Sequence, residues 1–162
     1  MNEAYTLLKQ TCTDACHERH ACAEGYRQML ASENVSQMMA TWRANWEDVV
    51  QSKFADIICA ELPHQYPALK AEMNQAGIYL NECPRHAKEY VLVLVTDGTE
   101  PIHIYGDARA YILADATVEA HDHSRVYNYR VHASVTLHDH AHGQLLITDT
   151  VTRTRFATLL QK

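Results

Sequence analysis

Residues 100–143 read EPIHIYGD, ARAYILAD, ATVEAHDH, SRVYNYRVH, ASVTLHDH and AHG, a block of about eight residues repeated with one insertion. The first position of successive blocks is Ala108, Ala116, Ser124, Ala133 and Ala141. The third is Ile102, Ala110, Val118, Val126 and Val135, and the fifth is Ile104, Ile112, Ala120, Asn128 and Leu137. Small apolar side chains at every second residue, with His, Tyr and Asp between them, carry the period of a strand with one buried face. Self-similarity at a fixed period marks stacked architectures, in which each repeat buries its apolar face against its neighbours. The two most similar blocks, ATVEAHDH and ASVTLHDH, start 17 residues apart, which predicts two blocks per coil.

The segment therefore reads as a short single-stranded β-solenoid, or β-helix, in which the blocks beginning at 100, 116 and 133 share one face. Successive rungs about 4.8 Å apart place His121 over His138, His123 over His140 and Asp122 over Asp139. The other face carries Tyr111, Tyr127 and Tyr129. The competing architecture is an antiparallel meander, barrel or jelly roll. It calls for tight reversals at the block junctions, where the Asn-Gly and Asp-Gly pairs of hairpins are almost lacking.

The Ala-x-Val-x-Ala-x-Asp flavour of residues 102–143 looks like the solenoid part of uncharacterised proteins encoded in gut-bacterial and prophage genomes. The resemblance covers about a quarter of the chain. It implies a β-helical stack and a phage or bacterial origin, and it transfers no functional residue. This chain has fewer coils, His and Tyr on the outside, and a long helical preface.

That preface has helical spacing: Ala4, Leu7 and Leu8, then Tyr26, Met29 and Leu30, around a break near Gly25. Ser36 is the expected N-cap of a helix carrying Met38, Met39, Trp42, Trp46, Val49 and Val50 along one side, a stripe that reads as core. Ser52 is the expected cap of the next, with Pro63 and Pro67 punctuating the chain and a last helix from Pro67 to about Gln75 ending at Gly77. YVLVLV, residues 90–95, reads as a buried strand that joins the two halves and, together with part of the helical half, covers one open end of the solenoid. The whole is predicted to be α+β, with a helical region (1–89) packed on a β-solenoid region (90–162).

Composition narrows function. The net charge is −6, with 8 Lys/Arg against 13 Asp/Glu in residues 1–98 and 6 against 7 in residues 99–162. Nucleic-acid binding requires a basic stripe that displaces counterions, and the one local enrichment, Arg125, Arg130, Arg153 and Arg155, reads as solvated strand positions. No apolar run approaches the 20 or so residues of a membrane span, and the N-terminus lacks the pattern of a secretory signal. The expected location is the cytoplasm.

Seven of the 11 histidines lie between 103 and 142, with His-x-His at 121/123, 138/140 and 140/142. Residues two apart in a strand point the same way, so His121, His123, His138 and His140 are candidate ligands for Zn, Ni or Cu. The alternatives are a ladder of stacked rings on a wet face and a pH-sensitive surface of clustered imidazoles. The His-x-His of cupins lacks its surrounding glycines and downstream Glu here, and the six-residue period of hexapeptide acyltransferases does not match.

The five cysteines, Cys12, Cys16, Cys22, Cys59 and Cys83, are odd in number and without an export signal, so disulfides are not expected. Cys12 and Cys16 with Cys83 and His86 have the spacing of a Cys3His zinc site. His20 shares a helix face with Cys12 and Cys16, but residues eight apart lie about 12 Å apart along a helix, too far for one ion. Cys83 and His86 also form a candidate nucleophile and base for a small hydrolase or transferase.

The leading expectation is a non-enzymatic interaction module. Its contact surface is the outward columns formed by Tyr105, Tyr111, Tyr127 and Tyr129 with the four histidines. The partner is a protein or a second copy of the chain, the homo-oligomer being favoured by open solenoid ends and the strand-forming tail TVTRTRFATLL. The alternative is a metal-binding protein or metal-dependent enzyme.

Overall fold

A computed structural model describes residues 3–18, 23–51, 54–87, 90–129, 131–146, 148–154 and 156–162. His20, Cys22, Ser52, Arg130 and Arg155, singled out above, lie outside them. The chain divides into two compact units, Met1–Ala76 and Gly77–Lys162. Among the described residues no helix is long and apolar enough to cross a membrane.

The first unit is helical: α1 (Glu3–Glu18), α2 (Ala23–Ala31), α3 (Val35–Ala44), α4 (Trp46–Gln51) and α5 (Phe54–Gln75). Gly25 lies inside α2 rather than at a break. The stripe Met38, Met39, Trp42, Trp46, Val49 and Val50 is buried throughout, but it spans two helices. Asn45 separates them, its backbone N–H donating to the Thr41 and Trp42 carbonyls and its side chain to Thr41 O. The N-cap is Asn34, not Ser36. Asn34 is extended and accepts from Gln37 N (3.0 Å), while the Gln37 side chain accepts from Glu33 N (2.7 Å), a reciprocal cap that Ser36, two residues on, cannot make.

α5 runs unbroken through Pro63 and Pro67, where two segments were expected. Each proline removes one helical hydrogen bond. The buried stripe Ala55, Ile58, Leu62, Tyr66, Leu69 and Met73 nevertheless continues at helical spacing across both, and packing outweighs the local loss. Gly77, at φ 74°, ends the segment as the C′ glycine expected there.

The second unit is the solenoid. Its strands are β1 (Ile78–Leu80), β2 (Leu92–Val95), β3 (Ile102–Ile104), β4 (Arg109–Ile112), β5 (Ala116–Ala120), β6 (Arg125–Asn128), β7 (Ala133–Leu137), β8 (His142–Leu145), β9 (Thr150–Arg153) and β10 (Thr158–Gln161). All pair in parallel, in a six-stranded sheet β1-β2-β4-β6-β8-β10 and a four-stranded sheet β3-β5-β7-β9. From β2 onward successive strands alternate between the two sheets, so each coil there contributes one strand to each, as the 17-residue spacing implied. Val118 pairs with Ile102 on one side and Val135 on the other. Ala110, Val126, Val118, Val135, Ala120 and Leu137 are essentially solvent-free and form the interior.

Two expectations change at the start of this unit. Residues 77–89, grouped by sequence with the helices, contain β1, which pairs with β2 (Ile78 to Leu92) and so belongs to the sheet. The strand at 92–95 is no cover for an open end: it is a rung between β1 and β4. Its four residues are all buried, which is why it reads as a continuous apolar run rather than an alternating one.

An imidazole corner as the candidate functional site

One corner of the solenoid joins β3 to β4, β5 to β6 and β7 to β8 by the same four-residue turn: Tyr105-Gly106-Asp107-Ala108, His121-Asp122-His123-Ser124 and His138-Asp139-His140-Ala141. In each, the fourth residue's N–H donates to the first residue's carbonyl, at 3.3, 3.1 and 2.9 Å. The second residue is left-handed, with φ of 63° at Gly106, 58° at Asp122 and 52° at Asp139. Gly and Asp are among the residues that tolerate this region, which explains the recurring Gly/Asp position. The reversal sends the fourth residue back into the core, where Ala108, Ser124 and Ala141 are buried.

The ladder continues into the turns: His121 N–H donates to Ile104 O and His138 N–H to Ala120 O, both at 2.8 Å. Rings at equivalent positions therefore stack. Tyr105 lies 5.1 Å from His121, and His121 lies 4.6 Å from His138 with the planes parallel to 1°. The Arg85 guanidinium sits 5.2 Å from the Tyr105 ring, a cation–π contact at the end of the stack. A second column joins His123 to His140 (5.2 Å) and His140 to Phe156 (5.3 Å). The pairing of His121 with His138 and of His123 with His140 is as the repeat implied, but the four imidazoles form two columns flanking the Asp positions, not one cluster.

The convergence lies elsewhere. His103 on β3 is in register with Glu119 on β5, and His121 follows Glu119 on the same side. His103 Nδ1 is 3.5 Å from His121 Nε2 and 3.6 Å from Glu119 Oε2, which is 3.9 Å from His121 Nε2. These three are the described residues whose ligand atoms gather within 4.8 Å of one another. His138 Nε2 reaches the same carboxylate oxygen at 3.7 Å, beyond hydrogen-bond distance, and is buried without a partner among the described residues. Burial holds the His121 pKa below the ordinary histidine value, helped by the nearby His138 and His103 and opposed by Glu119 and Asp122.

His103 and Glu119 were not among the residues singled out by sequence. The signal was there, since the fourth position of the blocks at 100, 116 and 133 reads His103, Glu119, Thr136, and stacking those blocks makes His103 and Glu119 neighbours. Of the two stacked aspartates, Asp122 accepts at Oδ2 from Gly106 N at 3.0 Å.

No known protein family, curated protein or solved structure matches this chain.

The remaining candidates fall in both units. Cys12 is fully buried in the helical unit, its thiol pushed up by burial and by Cys16. Cys83, in the solenoid unit, receives the Tyr105 N–H at 3.5 Å, and burial pushes its thiol up against that bond. Both changes disfavour the thiolate that a metal ligand or nucleophile requires; His86 is exposed. Of the tyrosines, Tyr105, Tyr127 and Tyr129 are partly exposed, but Tyr111 is only 6% exposed. It stands in the outward column Leu80, Leu94, Tyr111, whose members are all buried, and stacks on Tyr127 at 4.9 Å. Tyr111 is therefore withdrawn from the expected contact surface.

Proposed function

We propose that this protein is a non-enzymatic binding module that holds a divalent transition-metal ion at the solenoid corner, through His103 Nδ1, His121 Nε2 and Glu119 Oε2. The size of that triangle carries the proposal. A point equidistant from three atoms at these separations lies about 2.1 Å from each, the length of zinc–nitrogen and zinc–oxygen bonds. Two imidazoles and one carboxylate suit Zn, Ni or Cu rather than the all-oxygen preference of Mg and Ca. Metal binding needs neutral imidazoles, and the lowered His121 pKa supplies one at neutral pH.

An imidazole lone pair lies in the ring plane, and the His103 and His121 planes are within 21° of parallel. One ring must turn to aim at a shared ion, and His103, stacked on Tyr105 and His121, is the more exposed of the two, with 45% of its side chain against 24% of that of His121. Calorimetric titration of tag-free, chelator-treated protein with Zn2+ tests the proposal. One ion per chain is expected, with loss of binding in Glu119→Gln and His103→Ala. Absence of saturable binding by the parent protein refutes it.

A protein-contact role for the same corner is favoured by Phe156, which is 62% exposed at the end of the His123–His140 column.

A further inference from the structure

The triplet is short of ligands. Zinc-class ions take four donors in closed protein sites, and the corner supplies three. Two of its donors stand on the outer face of β3 and β5 and the third in the turn that follows β5, with 45% of the His103 and 36% of the Glu119 side chain exposed, so the vacant position faces away from the chain. The groove lined by Thr117, Ser134 and Thr150 begins at the other end of these strands and does not include the triplet. A ridge of this shape does not enclose a small molecule; it can meet a second surface.

The same chain does not offer the fourth donor in this arrangement. His138 Nε2 comes within 3.7 Å of Glu119, but it is not among the ligand atoms that all lie within 4.8 Å of one another, which are those of His103, Glu119 and His121. His123 is separated from His121 by the left-handed Asp122 and is held in the other column by His140. His123 is exposed and stands two residues from the triplet. It is an imidazole beside the site that serves no ion of its own.

We infer that a second copy of this chain completes the site, His123 of each copy ligating the ion held by His103, Glu119 and His121 of the other. This rests on the metal reading above. The exchange is reciprocal, so it closes as a two-fold dimer with two ions and leaves no open filament. Phe156, exposed beside His140, adds apolar area next to the bridging imidazoles. Charge makes the pairing conditional. Each chain carries −6, so two copies repel one another, and each ion contributes two positive charges where the ridges meet.

Sedimentation velocity on tag-free protein, in chelator and then with one equivalent of Zn2+, tests the inference. The 18.4 kDa monomer is expected in chelator, and twice that mass with zinc, reverting when chelator is restored. His123→Ala, a change at an exposed turn, should keep zinc binding at the triplet and lose the dimer; Glu119→Gln should lose both. The decisive sample mixes those two variants. Neither dimerises alone, but together they can form one complete site, giving a dimer with one ion per two chains.

A protein that binds zinc and stays monomeric overturns the second-copy inference and leaves the metal reading standing. Absence of zinc binding removes both. A dimer that persists in chelator, or one that His123→Ala still forms with zinc, also overturns the inference.

Discussion

The imidazoles of His121 and His138 lie 4.6 Å apart, centroid to centroid, and parallel to 1°. Two cations at that separation repel, and His103 stands on the opposite side of His121. Burial and these two neighbours lower the His121 pKa. The unfolded chain, with histidine near 6.5, then binds the proton more readily than the folded one, so folding stability falls as pH drops through that value and the loss levels off below the folded pKa. In chelator, the His121 ring resonances should titrate with a midpoint below 6.5, and His121→Gln should flatten the stability profile between pH 7 and 5. A midpoint above 6.5 contradicts the account.

Ser124 occupies a buried position that is Ala108 one coil earlier and Ala141 one coil later, and its hydroxyl has no partner among the described residues. A buried, unpaired hydroxyl costs on the order of 1 kcal/mol or more. Ser124→Ala should therefore stabilise the protein by roughly 1 kcal/mol, read as a higher urea midpoint at unchanged slope. A lower midpoint would reveal a partner for the hydroxyl.

Asp139 holds the left-handed turn position at φ 52°. A β-branched side chain is strained there, so Asp139→Val should cost about 1–2 kcal/mol, whereas Asp139→Gly, which copies Gly106 at the equivalent turn, should be nearly neutral. The contrast in melting temperature between the two variants is the measurement; equal losses would mean that the carboxylate matters more than the backbone.

Asp149, 7% exposed, is the hub of the opposite corner. It accepts from Leu146 N (2.8 Å), Ala133 N (3.0 Å) and the Asn128 amide (3.0 Å). Asp149→Ala strands three donors at once, at roughly 3 kcal/mol or more. Hydrogen exchange should show the Ala133 and Leu146 amides losing protection first. Unchanged protection there would assign the corner's stability to packing instead.

The register of Val118 with Val135 and the stacking of His121 on His138 were legible in residues 100–143. A strand exposes its period directly, and a fixed repeat leaves few ways to superpose Ala and Val columns. The helical boundaries were less legible because competing local signals have similar strength. Asn34 and Ser36 are both good caps, and Pro63 and Pro67 disfavour a helix that the buried stripe from Ala55 to Met73 sustains.

The sequence by itself determined that Ala108, Val118, Val135 and their equivalents wind inward in coils of two strands, since burial of alternate small residues depends only on period. Tertiary structure alone decided that the His121 imidazole joins the stacked pair His103 and Glu119, that Tyr111 is buried while Tyr105 is partly exposed, and that His123 stands outside the triplet. Those outcomes depend on side-chain directions at a corner and on which outward columns are covered, and neither is encoded in the spacing of a repeat.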